Sequence, residues 1–345
     1  VRQFGTTIFA EMSALAVQCG AVNLGQGFPD FAGPEWVKQA AAEAIAADAN
    51  QYAPYIGVSR LREAIAATWQ AHGWRSIDPQ REVTVTSGAT EALFGAVQAL
   101  VNPGDEVILF EPFYDAYLPD VTMAGGIPRF VRLHPPTSGQ SGWWFDLAEL
   151  QAAFSPRTRL LMLNTPHNPT GKVFRRDELE QIAELCQRYN VIVVSDEVYD
   201  QLVFAGAKHI PIATLPGMWE RTLTINSLGK TFSLTGWKIG YAVGPAELNT
   251  ALRAAHQWIT FATATPLQYA AAAALEGALQ NGYYDQFRAE YTARYHMLAE
   301  ILESVGLPIL PTEGSYFLMA DISATGFHDD VAFCRYLTQE VGVAA

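Results

Sequence analysis

Between about residues 80 and 250, short apolar runs alternate with longer stretches in which apolar positions recur every three or four residues. The runs at 83–86, 107–110, 160–163, 191–194 and 223–225 predict strands, each close to the roughly 4–8 residues expected of one. Their near-continuous apolarity predicts strands buried on both faces, as in a mainly parallel sheet covered by helices. Helical patterns fill the gaps at 90–100, 176–189 and 246–258, and the alternation reads as an α/β domain of three layers, α/β/α. Two flanks lie outside it. Residues 34–47 predict a helix with Pro34 in its first turn. Residues 269–305 predict one long helical stretch with room for a break, 329–340 another helix, and 342–345 a β-like run. The expected organisation is an N-terminal arm and part of a small domain over 1–45, a large domain over 46–260, and the rest of a smaller α/β domain over 261–345.

Composition narrows the class. Half of the 345 residues are hydrophobic and only 17% are charged, which excludes disorder as the default. A formal charge of −13 argues against a nucleic-acid partner, since phosphate binding needs a basic face. No apolar run reaches the roughly 18 residues of a membrane span, so no membrane partner is expected. Val1-Arg2-Gln3-Phe4 does not read as a signal peptide. Cys19, Cys186 and Cys334 stand far apart, without disulfide or zinc spacing, so no metal is expected and a cytoplasmic location is.

Ligands collect at the carboxyl ends of strands in open α/β sheets, so the polar residues after each run carry the candidate chemistry. Thr86-Ser87-Gly88-Ala89-Thr90-Glu91 passes from a strand through small residues into a helix, where backbone N–H groups and the Thr90 hydroxyl suit an anion; ordinary helix capping is the alternative. Asn164-Thr165-Pro166-His167-Asn168-Pro169-Thr170-Gly171 is a rigid loop that presents Asn168, or a plain turn. Asp196, in Ser195-Asp196-Glu197-Val198-Tyr199, is a carboxylate at the end of a buried strand and wants a cationic partner, unless it caps the next segment. Ser227-Leu228-Gly229-Lys230-Thr231 tempts a phosphate-loop reading, but Thr224 stands where that motif needs its first glycine. What remains is a cleft lysine, Lys230, with Lys238 eight residues on; a desolvated lysine is nucleophilic toward an aldehyde. An anion site, an amine and a carboxylate together match pyridoxal phosphate (PLP).

At these residues the sequence resembles the class I, fold-type-I PLP aminotransferases, most of all the kynurenine aminotransferase, glutamine transaminase K and methionine aminotransferase group. The matching stretches are Asn23-Leu24-Gly25-Gln26-Gly27-Phe28-Pro29-Asp30, Asn50-Gln51-Tyr52, Glu111-Pro112, 164–171, Asp196-Glu197-Val198-Tyr199 and 227–238, in family order. The resemblance implies that Lys230 holds PLP as an aldimine and then moves the substrate proton, in ping-pong half-reactions between an L-amino acid and a 2-oxo acid. It implies that Asp196 pairs with the ring nitrogen, Asn168 and Tyr199 with the ring oxygen, and that Tyr114 stacks on the ring. The phosphate falls to Ala89, Thr90, Ser227 and Lys238, joined by Tyr52 from the partner of a homodimer with shared sites. Gly25, Asn168, Phe28 and Phe317 fall to the substrate.

Two departures from the family pattern stand out. The kynurenine-type animal enzymes carry a histidine where Ala262 stands, which argues against kynurenine and leaves methionine, glutamine and aromatic amino acids. The family's carboxylate-binding arginine lies in a strand some forty residues beyond 340–345, so a further C-terminal segment carrying it is expected. Within the same chemistry the rival is a cysteine-conjugate β-lyase. A PLP-binding transcription regulator would need a basic module ahead of Asn23.

Overall fold

Hydrophobic residues that face helices on both sides build the centre of the molecule, seen here in a computed structural model that describes every residue except 1–3, 6, 26, 28, 30, 140 and 205. In chain order the strands are β1 (Val22–Asn23), β2 (Val83–Ser87), β3 (Glu106–Glu111), β4 (Ile127–His134), β5 (Trp144–Phe145), β6 (Thr158–Asn164), β7 (Ile192–Asp196), β8 (Thr222–Ser227), β9 (Ile239–Val243) and β10 (Val343–Ala344). Eight of them form one sheet in the order β2-β9-β8-β7-β6-β3-β4-β5. Neighbours are parallel from β8 through β4, while β9 runs antiparallel to both β8 and β2, and β5 antiparallel to β4. The five expected runs are β2, β3, β6, β7 and β8, and nearly every residue of each is buried.

The expected helices form as Gly88–Leu100, Arg176–Tyr189 and Ala246–Ile259. Glu35–Ala46 forms with Pro34 as its N-cap rather than inside the first turn. The long C-terminal pattern breaks into Thr265–Ala278 and Tyr283–Ser304, with Gly282 at φ 72° starting the second helix. Sequence reading omits Ile8–Cys19, Ser59–Ala71 and strands β4 and β9.

One core cluster joins Val37, Leu61, Val85, Phe232, Tyr241 and Ala270, Ala271, Ala272, Ala274 and Ala278 of the helix Thr265–Ala278. Small side chains let these helices approach closely: a Cβ on Gly277 would stand 2.6 Å from the Trp36 ring. Glu35–Ala46 thus packs with the antiparallel end of the sheet. Val22 and Asn23 pair in parallel with Val343 and Ala344, so the β-like terminal run is a strand. No helix among the described residues is long and apolar enough to cross a membrane.

Candidate active site

The strand ends make the site. Because β9 is antiparallel to β2 and β8, its first residues lie at the same sheet edge as their last ones, with Ser87 opposite Ile239 and Ser227 opposite Gly240. Gly88, at φ 77°, opens the helix Gly88–Leu100. A Cβ on Gly240 would lie 2.4 Å from the Gly88 carbonyl carbon and 2.5 Å from the Ala89 nitrogen, so only glycine permits this approach. Lys238 sits in the left-handed conformation at φ 54°, and its Nζ lies 3.4 Å from where a Gly88 Cβ would be. Beneath the turn, buried Glu91 accepts from the Ser87 backbone and the Thr260 hydroxyl. It also meets His256 Nδ1 at 2.6 Å, and His256 Nε2 lies 2.7 Å from the Tyr55 carbonyl. The result is a braced cup of helix-terminal N–H groups beside a lysine, a form suited to an anion.

Gly88, Ala89, Thr90, Tyr114, Asn168, Asp196, Tyr199, Ser227, Lys230, Lys238 and Phe317 all line one cavity of about 620 Å3. Ser227 caps the short helix Leu228–Thr231, its Oγ accepting from Gly229 N at 3.2 Å, and that turn delivers Lys230. Lys230 Nζ donates to the Gly27 carbonyl at 2.8 Å and to the Tyr316 hydroxyl at 2.7 Å. Burial pulls this amine down to about 8, against the opposing pull of Asp196. Burial likewise raises the Asp196 carboxyl to about 6 although Tyr117 donates to its Oδ2 at 2.7 Å. Asn164 ties the loop to the strand: its Nδ2 donates to the Asp196 carbonyl at 2.9 Å and its Oδ1 accepts from Asn168 N at 2.7 Å. The Tyr199 hydroxyl bonds to that of Tyr316, and burial drives its pKa far above the ordinary tyrosine range.

Two expected residues stand elsewhere. Tyr52 is 87% exposed, its ring edge-on to Phe261 at 5.6 Å, and it does not line the cavity. Gly25 is not among the residues lining the cavity. It lies against Ala345, whose carbonyl carbon is 2.9 Å from a would-be Cβ, because β1 and β10 pair there; Gly27 lines the cavity instead. Phe28 lies outside the described residues. Sequence reasoning missed Tyr117, Tyr316, Thr7 and Phe9. Tyr316 adjoins the expected Phe317, but Tyr117 sits among apolar helix positions, and nothing in its neighbours marks it.

The residues present fit PLP. The glycines at 88 and 240 let strand, turn and Lys238 approach closely, which gathers the first N–H groups of the helix beside a lysine. A second lysine of lowered pKa and a buried carboxylate share the same cavity. Comparison with known proteins agrees. The family model described as aminotransferase class I and II matches residues 20–345. Methionine aminotransferase of Escherichia coli is 44% identical over 344 residues, covering 99% of this chain and 87% of the relative. Human kynurenine–oxoglutarate transaminase 1 is 47% identical over 330 residues, covering 91% and 78%. The solved structure of N-succinyldiaminopimelate aminotransferase from Mycobacterium tuberculosis superposes with a TM-score of 0.96 at 48% identity, covering 100% of this chain and 88% of that one. With that match over nearly its whole length, and a strand-end cavity that fits the cofactor, the chain belongs to the class I and II aminotransferases, enzymes of the α/β fold type I that depend on pyridoxal phosphate.

Proposed function

We propose that this aminotransferase takes its amino group from an L-amino acid with an uncharged side chain, of the methionine, glutamine or aromatic kind, and passes it to a 2-oxo acid. The observation that carries the reading is the Lys230 amine, held in the same cavity as the Asp196 carboxylate and the Gly88 cup. PLP, when bound, supplies an aldehyde that links to amines and a ring that withdraws electrons from the substrate Cα. Lys230 is assigned the covalent link, and then the proton at Cα, since its lowered pKa raises the share of free amine near neutrality far above that of an ordinary lysine. Asp196 is assigned the ring nitrogen, Asn168 and Tyr199 the ring oxygen, Tyr114 the ring face. Ala89, Thr90, Ser227 and Lys238 are assigned the phosphate.

The side-chain preference rests on the wall. Phe9, Leu93, Pro119, Val198 and Phe317 give the wall apolar surface, and Asp115 stands in it as a second carboxylate beside Asp196. A second substrate carboxylate, as N-succinyldiaminopimelate carries, would bring more negative charge into a cavity that already holds Asp115 and Asp196. We also infer a homodimer. Tyr52 (87% exposed), Trp258 (83%), Phe261 (46%) and Tyr55 (41%) leave aromatic surface uncovered where the 50–55 and 258–265 segments meet, and such patches mark association surfaces.

The test is a panel of amino donors with one 2-oxo acid acceptor. The reading predicts transfer from methionine or glutamine with kcat/KM at least tenfold above that from N-succinyldiaminopimelate or glutamate. The reverse order would overturn the side-chain assignment. Release of a 2-oxo acid and ammonia from cysteine conjugates without any acceptor would mark a lyase.

A further inference from the structure

Asp196 is the most consequential carboxylate in the cavity, and one side chain controls it. Its Oδ2 accepts from the Tyr117 hydroxyl at 2.7 Å, whereas its Oδ1 has only a long 3.4 Å contact from the Val198 amide. Tyr117 is 3% exposed and begins the helix Tyr117–Met123. Its ring packs in the cluster of Leu93, Val121, Leu160 and Met162, edge-on to Tyr114 at 5.7 Å. The phenol therefore has little freedom to turn away.

We infer that Tyr117 is a positioning residue for transamination: it pins Asp196 Oδ2 and holds the carboxylate as an anion, leaving Oδ1 to meet the ring nitrogen of the cofactor. The inference rests on the assignment of Asp196 to that nitrogen. Two bases, a carboxylate and a pyridine nitrogen, then share one proton. Burial raises the proton affinity of Asp196 and draws the proton toward oxygen, which would leave the ring a poor acceptor of electrons. A hydrogen bond donated to the carboxylate lowers that affinity and returns the proton to nitrogen. Burial and the neighbouring Asp196 keep the Tyr117 phenol far above its ordinary pKa, so it stays a donor throughout the working range. Among the described residues, no other side chain donates to the Asp196 carboxylate.

The test is Tyr117→Phe in the holoenzyme, with PLP labelled with nitrogen-15 in its ring. Loss of one hydrogen bond to a charged acceptor shifts an equilibrium by roughly tenfold to a hundredfold. The ring-nitrogen resonance should move toward its unprotonated position, and the single-turnover rate should fall by about that factor with KM nearly unchanged. The same change made on Asp196→Asn should have no further effect, whereas a merely structural role would add its own loss. Replacing Tyr117 by 3-fluorotyrosine, a stronger donor of nearly the same shape, should move the resonance the opposite way even if the phenylalanine variant folds poorly. If Asp196→Asn moves resonance and rate while both Tyr117 changes leave them at wild-type values, the inference is overturned. If Asp196→Asn itself moves neither, the assignment of Asp196 is what fails.

Discussion

At the scale of the residue, Lys230 is set by opposing environments. Burial disfavours its charged form, and Asp196 in the same cavity favours it, with about 8 as the outcome. Only the uncharged amine attacks an aldehyde, so the rate at which apoprotein captures PLP should rise tenfold per pH unit below about pH 8 and level off above it. Stopped-flow absorbance at saturating PLP would measure this. A rate still climbing steeply at pH 10 would mean that Lys230 keeps the pKa of a free lysine, and that the cavity does not desolvate it. Much of this was legible in the sequence, because a lysine behind Ser-Leu-Gly at a strand end has few structural uses. Tyr117 was not. Its importance lies in a contact with a residue 79 positions away, which no local pattern encodes.

Elements explain which parts of the fold could be read. The five expected strands are buried on both faces, so their runs are continuously apolar and stand out. By contrast β4 lies near the sheet edge and carries Arg129 and Arg132 on exposed positions, which hides its apolar alternation. Strand β9 is fully buried, but Gly240 interrupts its run. That glycine is also where the element matters most, since it lets β9 lie against the turn at Gly88. Gly240→Ala would force a methyl group to within 2.4 Å of backbone, a clash that only movement of one element can relieve. We expect PLP affinity to fall by at least tenfold, on the scale of about 1–3 kcal/mol for overpacking, with the Lys230 link still able to form. Equilibrium dialysis would read it, and an affinity within twofold of wild type would show that the cup tolerates displacement.

At the scale of the whole molecule, the proposed homodimer would share each site between two copies. Tyr52 does not line the cavity of this chain, and its Phe261 neighbour adds to the uncovered aromatic surface. Mixing a Lys230→Ala protein with a Tyr52→Phe protein should form hybrid dimers with one intact site and one doubly altered site. Activity should then rise above that of either parent; no gain on mixing would contradict shared sites. The central claim, that Lys230 carries the cofactor, has a more direct test. Borohydride reduction of the holoenzyme, followed by peptide mass mapping, should place one PLP per chain on Lys230. The label should vanish, together with amino transfer, in Lys230→Ala. A label on Lys238, or a Lys230→Ala protein that transaminates at the wild-type rate, would contradict the account.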